Sequence, residues 1–325
     1  MSELRHDRLR DHWVITATHR MQRTHLPGAA ECPLCPARPG GPSTEVPAAT
    51  YELVVFENRF PSLRTPAAPP ALPDRAAFPV RPAQGACEVV LYTDDHGATL
   101  TEQPQERFER LLRVWTHRYL ALAERPEVAY VFVFENRGEE VGVTLHHPHG
   151  QIYAYPFIPP IPAAEIAQAA RYHRETGRSL FADLLAEELA DGSRIVARHG
   201  AVCTWVPFAA RWPYEANVAP ERGVAHLGEL SDTERWDLAA ALKDLLTRYD
   251  NLFGRPMPYV MSVHQAPTDG TPGPHHLHFE FAPRLRAAGR LKFQAGSESG
   301  ADAWINDSHP EEKAAELRLT PGLAR

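Results

Sequence analysis

Cysteine is scarce, four residues in a chain of 325, too few to brace a secreted scaffold with disulfides. Positive charge is also short: 34 Lys and Arg stand against 41 Asp and Glu. The resulting net charge of −7 argues against a sequence-independent nucleic-acid binder. No stretch approaches the roughly 20 consecutive apolar residues that a membrane span needs. The opening Met1-Ser2-Glu3-Leu4-Arg5-His6-Asp7 lacks the apolar core of a signal peptide. These absences predict a cytoplasmic protein with neither nucleic acid nor membrane as partner. Hydrophobic content of 43% and charged content of 23% are ordinary, and the length suits one large or two moderate domains.

What the chain does have is a pair of related histidine motifs. His147-Pro148-His149-Gly150-Gln151 has a worn counterpart in His276-Leu277-His278, 129 positions on (276 − 147). Each lies 17 residues behind a Tyr-Val pair, Tyr130 and Tyr259, that opens an apolar run of strand type. Residues i and i+2 of a strand share a face, so each copy is expected to present two imidazoles side by side. Upstream, His96 precedes Leu100 by four residues and His226 precedes Leu230 by four. A capping-box signature follows each, Thr99 with Glu102 and Ser231 with Glu234. The helices behind them carry apolar stripes: Phe108, Leu111, Leu112, Trp115, Tyr119 and Leu122 in one, Leu238, Ala239, Leu242, Leu245, Leu246 and Tyr249 in the other. The reading is one module used twice, over residues 1–160 and 161–325, in an α+β fold of antiparallel sheets flanked by helices. A further helix is expected over 163–190, a proline-rich irregular loop over 61–83 and a short helix from Pro310.

Cys32-Pro33-Leu34-Cys35 offers two thiolates at a spacing that suits one tetrahedral zinc, with histidines completing the set. Two buried thiols or a redox pair are the alternatives; the redox reading lacks a thioredoxin-like βαβ setting. In the histidine motif one ring could ligate metal while the other attacks phosphorus. Neutral imidazole needs no deprotonation to act as a nucleophile, and a phosphoramidate intermediate divides one hard transfer into two easier ones. Gly150 would let a phosphate approach the backbone. Gln151 can donate to a phosphoryl oxygen without serving as an acid.

His-Pro-His-Gly-Gln resembles the active-site signature of the galactose-1-phosphate uridylyltransferases, in the transferase branch of the histidine-triad superfamily. The likeness runs from the Arg20-Met21-Gln22-Arg23 region to Lys292-Phe293 and the carboxy-terminal helix. It implies that His149 is the nucleophile, uridylylated by UDP-glucose with release of glucose 1-phosphate. Galactose 1-phosphate would then take the uridylyl group to give UDP-galactose. A sugar-phosphate leaving group has a second pKa of about 6, so it can depart with glutamine at 151 instead of an acid. The resemblance implies zinc on Cys32, Cys35, His96 and His147, with His146 as a competing ligand. It implies a second metal, iron or zinc, on Glu165, His264, His276 and His278, with Glu280 competing for the role of Glu165. Substrate contacts carried over are Arg20, Arg23, Asn58, Asn136, Thr144 and Gln151 around the nucleotide and phosphates. Lys292, Phe293 and Glu298 would meet the hexose, across the interface of a homodimer.

Arg59 stands where the family usually has aspartate, and Ser297 replaces an aromatic residue. The segment Trp304-Ile305-Asn306-Asp307 also departs from the family pattern. Arg59 beside the base or ribose keeps open a nucleoside-diphosphosugar or dinucleotide phosphorylase, for example one using ADP-glucose. A zinc-stabilised nucleotide-binding protein without turnover is the reading from another class.

Overall fold

The computed structural model of the chain describes residues 2–22 and 25–323. The first half runs β1 (Ser2–Asp7), β2 (His12–Ala17), β3 (Val54–Glu57), β4 (Val80–Pro82), β5 (Ala86–Leu91), α1 (Gln105–Ala123), β6 (Tyr130–Arg137) and β7 (His149–Tyr155). Two helices follow, α2 (Pro160–Thr176) and α3 (Leu180–Asp191), then β8 (Ile195–His199), β9 (Val202–Trp205), β10 (Ala216–Pro220) and α4 (Asp232–Leu252). The chain continues through β11 (Tyr259–His264), β12 (His278–Pro283), β13 (Leu285–Ala287), β14 (Arg290–Leu291), α5 (Gly296–Ala301) and α6 (Pro310–Leu319).

Nine strands make one antiparallel sheet in the order β3-β5-β7-β6-β11-β12-β10-β9-β8. The α+β expectation holds, and the sheets of the two copies are fused edge to edge. Their junction is β6 against β11, the two Tyr-Val strands, with Val133 opposite Val263 and Phe134 opposite Ser262. With the repeat offset of 129, Phe134 corresponds to Val263 and Val133 to Ser262. Each residue therefore faces its neighbour's counterpart, which places a local two-fold axis at the centre of the sheet.

Both predicted apolar stripes are buried. Helices α1 and α4 lie side by side on one sheet face, where Val131, Val133, Ile152, Met261, Val263, Phe279 and Phe281 meet them in a single core. Arg137 reaches from β6 to Asp250 on α4 through two hydrogen bonds of 2.7 and 2.9 Å. The copies thus share their core as well as their ladder. Because strand side chains alternate, His149 and Gln151 of β7 and His278 and Glu280 of β12 project from the face opposite α1 and α4.

Three expectations need correction. Thr99 and Glu102 do form a capping box, but it closes a 3₁₀ turn over Leu100–Glu102, and α1 starts only after Pro104. Ser231 and Glu234 cap α4 as expected. The helix over 163–190 is two helices: Gly177, at φ +74°, ends α2 in the left-handed conformation, and Ser179 caps α3. The strands β7 and β12 begin at His149 and His278, so the first histidine of each pair lies in the preceding loop.

Beneath the central junction, the buried carboxyl of Glu135 accepts a 2.9 Å hydrogen bond from the Tyr259 hydroxyl. Burial pushes its pKa up to about 7. The folded state thus holds this proton more tightly than the unfolded chain, where a glutamate titrates near about 4.3. The associated stability is present at low pH and lost as pH rises through about 7. Glu135→Gln keeps an oxygen for Tyr259 and removes the titration. Urea denaturation at pH 5 and pH 8 is expected to show the decline reduced by on the order of 2 kcal/mol relative to the unaltered protein.

Candidate active site and metal centres

The loop bearing Cys32 and Cys35 packs against β5 and the segment ahead of β7. There the sulfur atoms of Cys32 and Cys35 and one ring nitrogen each of His96 and His147 lie within 4.8 Å of one another. Cys35 Sγ is 3.5 Å from His96 Nδ1 and 3.6 Å from His147 Nδ1. A tetrahedral zinc with bonds of about 2.3 Å to sulfur and about 2.0 Å to nitrogen sets these edges at about 3.5 Å, so the donors fit the ion. His147 Nε2 lies 2.7 Å from the Thr93 carbonyl, to which its N–H donates, and 2.9 Å from Tyr51 Oη. That proton placement leaves the Nδ1 lone pair facing the sulfurs. Tyr51 in turn donates to the Leu34 carbonyl at 2.7 Å, tying the cysteine loop to the ring. Burial and the neighbouring Cys32 push the Cys35 thiol up to about 11, as expected of a sulfur built to be charged only with a cation beside it. His146 stays outside, half-exposed and 3.2 Å from Glu139.

Two residues on, His149 donates from Nδ1 to the carbonyl of His147 at 2.7 Å. Burial lowers its pKa below the ordinary imidazole range, so the ring is neutral at pH 7 and its lone pair is on Nε2. His149 lines a cavity of about 100 Å³ together with Arg20, Asn58, Arg59, Thr144 and Gln151. Gln151 Oε1 accepts from Asn58 Nδ2 at 3.4 Å, which leaves its amide N–H groups for a ligand. Arg20 donates to the Phe60 carbonyl at 2.9 Å; Arg59 pairs with Glu45 at 3.5 Å across the rim.

Other expected residues are placed differently. Arg23 lies outside the described residues. Asn136 is on β6 opposite Val260, on the sheet face of Phe134, and does not line the His149 cavity. Lys292, Phe293 and Glu298 are not brought to His149 within one chain. Lys292 pairs with Glu298 at 3.5 Å and Phe293 is 75% exposed, because the chain leaves the sheet after β12 in the other half. Tyr51 and Thr93, which orient His147, carry no motif that spacing could reveal.

Gly150 also has a different reason from the one expected. It points toward α1 and α4, where an added Cβ would collide with Tyr92 Oη and lie 3.2 Å from the Phe134 carbonyl. The missing side chain makes room for the core.

In the second copy, donor atoms of Glu165, His264, His278 and Glu280 lie within 4.8 Å of one another. Three of the four expected residues meet, Glu280 joins them, and His276 lies outside the group. Burial opposes charge on His264, but Glu280 and Glu165 push its pKa up to about 9. A cavity of about 410 Å³ beneath α2 and α3 opens onto this cluster.

Sequence profiles describing galactose-1-phosphate uridyl transferase match residues 1–159 with the N-terminal domain and 165–323 with the C-terminal domain. A galactose-1-phosphate uridylyltransferase of Thermotoga maritima is 39% identical over 322 residues, 98% of this chain and 99% of that one. The chain belongs to the galactose-1-phosphate uridylyltransferase family. Its members are nucleotidyltransferases, and a rat (Rattus norvegicus) relative of the same name is 33% identical across 98% of this chain and 87% of its own. A solved uridylyltransferase structure superposes with a TM-score of 0.88 at 33% identity, covering 98% of both chains. An ADP-glucose phosphorylase from Arabidopsis thaliana shares the fold, with a TM-score of 0.75 at 23% identity over 99% of both.

Gly150→Ala is expected to cost about 1–3 kcal/mol in denaturant unfolding through overpacking. Adding Tyr92→Phe, which removes the colliding oxygen, should recover part of that loss. Strict additivity in the double-mutant cycle would show that the two groups do not meet.

Proposed function

We propose that the protein exchanges UMP between UDP-glucose and galactose 1-phosphate by double displacement through His149. The observation that carries this reading is the 2.7 Å bond from His149 Nδ1 to the His147 carbonyl at the mouth of the Gln151 cavity. It holds a neutral ring with its lone pair on Nε2. That nitrogen attacks the α-phosphorus of UDP-glucose; a P–N bond forms as the P–O bond to glucose 1-phosphate breaks, the electron pair leaving on the sugar-phosphate oxygen. A phosphate oxygen of galactose 1-phosphate then attacks the same phosphorus, and the P–N electron pair returns to Nε2. Gln151 donates to a non-bridging oxygen, where its amide stabilises developing charge without offering a proton to a leaving group. Arg20 supplies the positive charge at the cavity.

Zinc bound by Cys32, Cys35, His96 and His147 would be four-coordinate and structural. It would fix His147, whose carbonyl orients the nucleophile. The Glu165 cluster suits a second divalent ion, iron or zinc, remote from the transfer. Lys292, Phe293 and Glu298 would serve the His149 cavity of a second copy, which makes the working unit a homodimer. Arg59 at the cavity rim favours one other reading, a phosphorylase that takes an ADP-sugar.

The test is the half-reaction. Incubation with UDP-glucose alone should release one equivalent of glucose 1-phosphate and leave UMP on the peptide containing His149, read by mass spectrometry. His149→Ala should abolish the label and lower turnover by roughly 10³-fold or more. Label retained in that variant removes His149 as nucleophile. Label from ADP-glucose and not UDP-glucose selects the phosphorylase.

A further inference from the structure

The segment that follows β3 is a wall between two cavities. Asn58, Arg59 and Phe60 line the His149 cavity of about 100 Å³, while Arg59 and Pro61 line a second one of about 340 Å³. The wall is anchored along its length. The Asn58 N–H donates to the Cys87 carbonyl at 2.8 Å, and Asn58 Oδ1 accepts from the Phe60 N–H at 2.9 Å, a turn with Arg59 at its tip. The Phe60 carbonyl accepts from Arg20, and the Pro61 carbonyl accepts from His19 Nε2 at 3.0 Å.

The second cavity is lined by positive charge in a chain whose net charge is −7. Arg59 and Arg64 both border it, and among the described residues no carboxylate does. Arg64 is fixed through its backbone, its N–H donating to the Ala83 carbonyl at 3.1 Å. Its guanidinium has no hydrogen bond or ion pair among the described residues. Arg59 has Glu45 as its charge partner, at 3.5 Å and with 64% of the arginine side chain exposed. A pair so long and so open to water is worth little and is readily given up. Two guanidiniums without a firm partner, at one cavity, suit the oxygens of a phosphoryl dianion.

Volume indicates which ligand carries that dianion. Sites for small molecules span about 300–1,000 Å³. The His149 cavity is too small to take a sugar phosphate beside a nucleotidyl group, whereas the second cavity could take the sugar phosphate alone. We propose that the cavity bordered by Arg59 and Arg64 docks the phosphoryl dianion of the acceptor, borne by a sugar 1-phosphate or present as free phosphate. Because Arg59 lines both cavities, it leaves Glu45 for the phosphate and keeps hold of it on the way to His149. The choice of ligand rests on the double-displacement reading, which requires a phosphate-bearing acceptor; the anion site itself does not. Docking here precedes transfer and is separate from the hexose contacts that a second copy would bring.

The test exploits Arg64, which is exposed and borders only the second cavity. The full chain is titrated calorimetrically with inorganic phosphate and, separately, with galactose 1-phosphate. Arg64→Gln is expected to weaken binding of the phosphoryl probe by roughly tenfold or more, and Arg64→Lys to restore part of it. Isotherms that do not change in Arg64→Gln, or an unaltered chain that binds neither probe, overturn the site. In steady-state kinetics, Arg64→Gln should raise KM for galactose 1-phosphate with KM for UDP-glucose moved less than about twofold. An equal rise in both overturns the assignment to the acceptor. Displacement of bound phosphate by galactose 1-phosphate identifies a sugar phosphate as the ligand; phosphate that resists displacement identifies the free anion. UMP labelling of His149 by UDP-glucose is read in the same preparations. Absence of label removes the double displacement and leaves the titration to decide the cavity, while label with unchanged isotherms removes the cavity alone.

Discussion

One hydrogen bond organises the first site, the donation from His149 to the carbonyl of His147. A carbonyl oxygen fixes the direction of its donor only where its own residue is held still, and His147 is held by its ring. One ring nitrogen donates to Thr93 and the other faces two sulfurs and His96. A rigid loop, a set proton position and an outward lone pair follow in sequence from that arrangement. The cysteine loop therefore helps to set the orientation of the His149 ring without touching it.

The same backbone device recurs in the second copy with different surroundings, which separates what the fold supplies from what side chains decide. The fold supplies a histidine at the first position of a strand, its Nδ1 satisfied by the chain two residues back. Side chains decide the rest. Gln151 beside Asn58 leaves amide donors free, while Glu280 beside His264 gathers negative charge. Two cysteines face the first ring, and Phe181 stacks on the ring of its counterpart His276 at 4.2 Å.

Much of this was legible in the sequence because periodicity and spacing are local properties. Both apolar stripes, the two Tyr-Val strands and the Ser231 cap rest on neighbours within one or two turns, and the offset of 129 shows when the sequence is compared with itself. The donors Cys32, Cys35, His96 and His147 were legible through the family resemblance. What was hidden depended on contacts between distant segments. Gly150 faces Tyr92, and no spacing rule says which side of β7 the core occupies. Phe181 against His276 required knowing that the predicted single helix breaks at Gly177 and folds back. Lys292, Phe293 and Glu298 carry nothing in their order to say that they lie apart from His149 within one chain.

The pairing of β6 with β11 has a consequence for how the two sites could come to differ. An edge that matches itself across a two-fold axis would equally let two identical single modules associate. In such a pair every substitution is made twice, so a carboxylate at the position of Gln151 would stand at both sites together. Joining the copies in one polypeptide removes that constraint. One half can then carry Glu280 beside His278 while its twin keeps Gln151 beside His149, each braced by the strand the other contributes.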